Sequence, residues 1–146
     1  MFVVDTNILL YAADRRSPEH ARSRALLDGW RSQRGAWYVT WGILYEFLRV
    51  STHPAVFERP WKAAQAWDFV AALLASPGLR VLCETERHAG LAAEVLKGTA
   101  LVSGNLLHDA HIAILMREHG VRRIYTRDAD FHRFGFLEVV NPLAPG

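Results

Sequence analysis

Cysteine is almost missing from this chain: Cys83 stands alone. An internal disulfide is thereby excluded, and the place of Cys83 at the end of the apolar run that starts at Leu79 predicts an inert core thiol rather than a nucleophile. No apolar stretch approaches the roughly 18 residues of a membrane span. The N-terminus also lacks the basic flank and small-residue cleavage site of a signal peptide, so a soluble, cytoplasmic protein is expected. Lysine is scarce too, with Lys62 and Lys97 the only two, and the basic side chains are nearly all arginine. Arginine suits bidentate phosphate contacts and is compatible with a nucleic-acid partner. The net charge is only +2, however, and the arginines form no dense cluster, so genomic base bias accounts for them more economically. There is no internal repeat and no low-complexity segment. The 146 residues, 51% of them apolar, suffice for one domain, 1–146, with a single core.

The first residues, Met1 to Ala13, organise the rest. Phe2, Val3 and Val4 have the β-branching and length of a buried strand, and Asp5 follows at once. Thr6 and Asn7 are N-cap types, and Ile8, Leu9, Leu10 and Ala12 give a helix its apolar face. Asp5 either caps that helix or stands at the ligand-binding edge of an open sheet, and this stretch alone does not decide between them.

Strand-like and helical runs then alternate. Ser17 and Pro18 predict the start of a helix reaching about Gln33; Ala36 to Thr40 reads as a strand; Thr40 caps a helix from Trp41 to about Thr52. Pro60 opens a tryptophan-bearing helix to about Ser76, within a segment, 53–76, whose aromatics read as core packing ahead of an interaction surface. Leu79 to Cys83 is a third strand, Glu84 to Lys97 a helix, Asn105 to Glu118 another, and Val121 to Thr126 a fourth strand. A short turn from Arg127 to Phe134 leads to a fifth strand, Leu137 to Val140. Such alternation predicts an α/β fold with a mostly parallel sheet covered by helices on both faces.

Four acids are placed oddly for surface residues. Asp5 and Asp128 each follow a strand, Glu46 has apolar neighbours Ile43 and Phe47 in its helix, and Asp109 lies near an apolar stripe formed by Leu106, Ile112 and Ala113. Asp130 accompanies Asp128. Strand-end acids and helix acids can converge on one crevice, where all-oxygen ligands suit Mg²⁺ or Mn²⁺. The chemistry available to such a cluster is metal-assisted phosphodiester hydrolysis.

Val4-Asp5-Thr6-Asn7, the helical Glu46, Asn105-Leu106-Leu107-His108-Asp109-Ala110-His111-Ile112-Ala113 and Thr126-Arg127-Asp128-Ala129-Asp130-Phe131 together resemble a PIN domain, in particular the VapC toxins of bacterial toxin–antitoxin pairs. The likeness covers nearly the whole chain in order and is weakest from about His53 to Ser76. It implies a three-layer α/β/α sandwich with a central, mostly parallel sheet of four to five strands. It also implies an Mg²⁺- or Mn²⁺-dependent endoribonuclease with Asp5, Glu46, Asp109 and Asp128 as the catalytic quartet, Asp5, Asp109 and Asp128 nearest the metal, and Thr6, Asn7, Thr126 and Asp130 in support. An RNA substrate, a VapB-like antitoxin over the active-site groove and a homodimer follow from the same resemblance.

Other readings carry different expectations. His108-Asp109 is also the dipeptide of HD-type metal phosphohydrolases, an all-helical fold that needs further upstream histidines. A receiver-like signalling domain would need a lysine after a late strand, which neither Lys62 nor Lys97 provides. A non-catalytic RNA-binding module would be expected to have lost one or more of the acids, and all four are present.

Overall fold

In the computed structural model, which describes residues 1–145, a five-stranded sheet runs through the middle of the molecule with order β3-β2-β1-β4-β5. The strands are β1 (Phe2–Val4), β2 (Trp37–Thr40), β3 (Leu79–Leu82), β4 (Arg123–Tyr125) and β5 (Glu138–Val140). Every neighbouring pair is parallel, with Val3 beside Tyr38 on one side and Ile124 on the other. The sheet itself is incompatible with the all-helical HD arrangement.

Six helices connect and cover the strands: α1 (Thr6–Ala13), α2 (His20–Ser32), α3 (Trp41–Ser51), α4 (Ala63–Leu74), α5 (His88–Gly98) and α6 (Leu106–Glu118). The chain steps outward from β1 to β3, then returns across the sheet to β4. Parallel crossovers keep one hand, so the reversal puts α5 and α6 on the face opposite α1 to α4. The helix contacts divide accordingly, α1 packing on α2 and α3, α3 on α4, and α5 on α6. Strand order reverses between β1 and β4, which opens a crevice beyond their carboxyl ends. Val3, Val4, Trp37, Val39 and Ile124 are fully buried between the layers.

Element boundaries differ from the sequence expectations where polar turns precede helices. Ser17 accepts from the Glu19 amide and holds a turn, so α2 begins at His20 rather than Pro18. After Pro60 the chain stays extended until Lys62, and α4 begins at Ala63. Glu84 to Arg87 forms a loop because Thr85 is tied to Glu118, and α5 starts at His88. Asn105 precedes α6 without a side-chain cap. Thr40 does cap α3, accepting from the Ile43 amide at 3.0 Å.

Cys83 is exposed, contrary to the buried thiol expected. β3 is an edge strand whose last paired residue is Leu82, opposite Thr40, and the next residue has already left the sheet. The tryptophans of 53–76 divide. Trp61 is partly buried against Phe47, Phe57 and Phe69, at ring separations of 6.2, 6.3 and 5.8 Å, whereas Trp67 is 43% exposed.

Candidate active site

Asp5 sits at the end of β1, where its amide still donates to Tyr125 of β4. Its carboxylate does two things at once. Oδ1 accepts the Thr6 amide at 2.8 Å and caps α1, so Asp5, not Thr6 or Asn7, is the N-cap. Oδ2 accepts the Thr126 hydroxyl at 2.7 Å and the Asn7 side-chain amide at 3.3 Å. The two readings of Asp5 left open by the sequence are therefore compatible: the cap aims the carboxylate that reaches the crevice.

Thr126 and Asn7 knit the other side. Asn7 Nδ2 donates to Thr126 Oγ1 and its Oδ1 accepts the Arg127 amide, while the Asp128 amide donates to Thr126 Oγ1 at 2.9 Å. Asp128 in turn accepts the Asp130 amide and caps a short 3-10 turn, Ala129–Arg133. Thr6 reaches across to α3, donating to the Ile43 carbonyl and the Glu46 carboxylate at 3.3 and 3.2 Å. These bonds bring Thr6, Asn7 and Thr126 into direct contact with the acids they were expected to support.

Glu46 Oε2 lies 2.8 Å from His108 Nε2. That nitrogen has no aligned hydrogen bond, so the contact is an electrostatic one that becomes an ion pair when His108 is protonated. In the sequence His108 carries only the HD-type reading; its place beside Asp109 is the signal for a role in this site. Asp109, one turn into α6, completes the group. Asp5, Thr6, Asn7, Glu46, Asp109 and Asp128 line one cavity of about 120 Å³. A wider groove of about 600 Å³ adjoins it, lined by Tyr45, Arg49, Asn105 and Asp130 as well as Glu46, His108, Asp109 and Asp128. Tyr45 and Arg49 were missed, because exposed helix residues carry no periodicity signal, and Asn105 was named only as the start of the motif that ends at Ala113.

The electrostatics are those of crowded carboxylates. Burial pushes Asp5 up to about 6; the Thr126 and Thr6 bonds work against that, and Glu46 and Asp128 add repulsion. Burial also lifts Asp109 to about 7, reinforced by the charges of Asp128 and Asp5. Glu46 is held below its ordinary value by His108, and Glu46 reciprocally raises His108. Asp109, Asp128 and Asp130 each bring one carboxylate oxygen within 4.8 Å of the others. Hard oxygen donors at this spacing, with two of the neighbouring acids reluctant to ionise, fit a divalent cation of the Mg²⁺ or Mn²⁺ kind.

A parallel sheet with acids gathered at its switch point is the arrangement of a PIN domain, and the family model described as "PIN domain" matches residues 2–137. The chain belongs to the PIN-domain family. Within it the chain is of the VapC type: Ribonuclease VapC37 of Mycobacterium tuberculosis is 37% identical over 134 residues, covering 92% of each chain. Among solved structures, the sarcin-ricin loop cleaving toxin VapC20 of Mycobacterium tuberculosis matches with a TM-score of 0.68 at 23% identity, over 95% of this chain and 98% of that one. VapBC2 from Rickettsia felis, bound to a DNA fragment from their promoter, matches with a TM-score of 0.64 at 19% identity, over 95% and 96%. Identities this low establish a shared fold. Among the described residues no helix is long and apolar enough to cross a membrane.

Proposed function

We propose that this single PIN domain is a divalent-metal-dependent endoribonuclease, acting in the cytoplasm as the toxin of a VapBC-type pair. The observation that carries the proposal is the convergence of Asp5, Glu46, Asp109 and Asp128, from four separate parts of the chain, on one small cavity. Asp5, Asp109 and Asp128 would hold the metal together with Asp130, whose carboxylate lies within 4.8 Å of those of Asp109 and Asp128, and Glu46 would face the reacting phosphate. Bound there, Mg²⁺ or Mn²⁺ supplies Lewis-acid activation of water and phosphate.

The chain's own residues supply orientation. Thr126 and the Thr6 amide fix both oxygens of Asp5, and His108 keeps Glu46 ionised and able to accept a proton. Arg49, 3.9 Å from Glu46, offers a cation to the phosphate backbone at the groove's edge. Tyr45 is 64% exposed on the same groove and presents a ring on which a single-stranded base can stack.

The resemblance extends to partners. VapC20 is a toxin that cleaves the sarcin-ricin loop, and VapBC2 is a two-protein assembly. For this chain we infer an RNA substrate, an antitoxin that covers the groove, and a homodimer. The decisive experiment incubates purified protein with RNA in Mg²⁺, in Mn²⁺ and in chelator. Cleavage should require the metal and disappear in Asp5→Asn and Asp109→Asn proteins with wild-type circular dichroism; metal-independent cleavage, or full activity in both variants, would overturn the mechanism. Growth arrest on expression, relieved by the product of an adjacent small gene, tests the toxin role, and harmless expression of active enzyme would refute it.

A further inference from the structure

A second group of metal-ligating side chains lies away from the acidic cavity. Glu84 in the loop after β3, His88 at the start of α5 and His111 on α6 each bring one donor atom within 4.8 Å of the other two. None of the three lines either cavity of the acidic centre. His111 Nε2 is already 2.7 Å from Glu84 Oε1, and the His88 and His111 rings meet edge to face at 5.7 Å.

Behind His88 stands Glu118, whose side chain is wholly buried. His88 Nδ1 lies 2.8 Å from Glu118 Oε2, while Thr85 gives its amide and hydroxyl to Oε1 of the same carboxylate. The Glu118 carboxylate accepts a hydrogen bond from Nδ1–H of His88, which leaves the lone pair on Nε2. This is the carboxylate–imidazole relay that orients metal-binding histidines and makes them better donors. No part of the acidic centre needs it.

We propose that Glu84, His88 and His111 form a Zn²⁺ site that staples the loop after β3 and the start of α5 to α6. Two imidazoles and one carboxylate are a donor set suited to Zn²⁺ and poorly suited to Mg²⁺. Donor atoms around tetrahedral zinc stand roughly 3.3 Å apart, so on binding the His111–Glu84 contact opens from 2.7 Å to admit the ion between them. Glu84 and His111 have half-exposed side chains and are free to move. The fourth position is left to water. The proposal is independent of the nuclease reading, because it uses none of the acids assigned to RNA cleavage.

The test is calorimetric titration of the full chain with Zn²⁺ in buffer saturated with Mg²⁺, followed by thermal unfolding with and without Zn²⁺. One Zn²⁺ per chain should bind and raise the melting temperature. His88→Ala and His111→Ala should each weaken binding by about tenfold or more, and Glu118→Gln by about 10- to 100-fold through His88. Asp109→Asn should bind as wild type does. No Zn²⁺ binding over the Mg²⁺ background, or binding that survives in the His88→Ala/His111→Ala double variant, would overturn the site. Loss of binding in Asp109→Asn would instead assign the ion to the acidic cavity. His111 is on the surface, so its variant keeps the proposal testable if Glu118→Gln fails to fold.

Discussion

The Thr126 hydroxyl donates to Asp5 Oδ2 at 2.7 Å, so the ends of the two central strands are tied by one side chain that also receives the Asp128 amide. Thr126→Val keeps the shape and deletes the donor. The expected cost is about 1–3 kcal/mol in urea unfolding. Asp5 should also rise further above about 6, moving the acid limb of the cleavage profile to higher pH. Thr126→Ser should restore both.

The two raised carboxyls set a pH dependence whose sign is opposite to that of an ordinary salt-bridged acid. Asp5 at about 6 and Asp109 at about 7 keep protons in the native state that the unfolded chain has lost above about 4. Metal-free stability should therefore fall as pH rises from about 4 to about 7, by roughly 3 kcal/mol for the buried Asp5. Mg²⁺ should restore much of the loss and release protons as it binds. Urea titrations across this range, with Mg²⁺ and with chelator, read both effects.

Asp109→Asn removes a charge that Asp128 and Asp5 repel. The metal-free variant should be more stable than wild type at pH 7, by about 1 kcal/mol, while losing RNA cleavage. A variant that gains stability as it loses activity identifies a residue kept for function.

Glu46→Gln deletes the partner that raises His108. The His108 titration, followed by NMR, should move down, and cleavage should fall on the order of 100-fold.

Gly78 lies where a Cβ would collide with the Gly35 carbonyl oxygen, at the turn into β3. Gly78→Ala should destabilise the fold by about 2 kcal/mol and leave the metal dependence of cleavage unchanged. Thermal unfolding and a Mg²⁺ titration of activity separate the two.

Much of this architecture was legible because buried parallel strands are apolar and abruptly bounded. Phe2 to Val4 and Trp37 to Thr40 needed no tertiary information, and an acid directly after such a run has few places to go. Helix starts were less legible: Ser17 and Pro60 are good opening residues locally, but Ser17 holds a turn and α4 waits for Ala63. Cys83 misled because strand composition does not reveal which strand lies at an edge. The site's acids could be listed from the sequence, and their grouping came from the resemblance. Glu118 escaped although Leu115 and Ile114 place it on the buried stripe of α6, by the same logic that singled out Asp109. Its partners Thr85 and His88 are some 30 residues away, and no helical wheel contains them.

The bond between Thr126 and Asp5 spans 121 positions of the chain. β1 is made first and its acid is finished last, when β4 slides in beside it. A polypeptide still emerging from the ribosome has Asp5 but not the hydroxyl that aims it, nor Asp109 and Asp128. Contacts this remote in sequence form late and together, so no partly made chain can carry a working centre. The acidic cavity is therefore assembled only once β4 and the turn that carries Asp128 are in place beside β1.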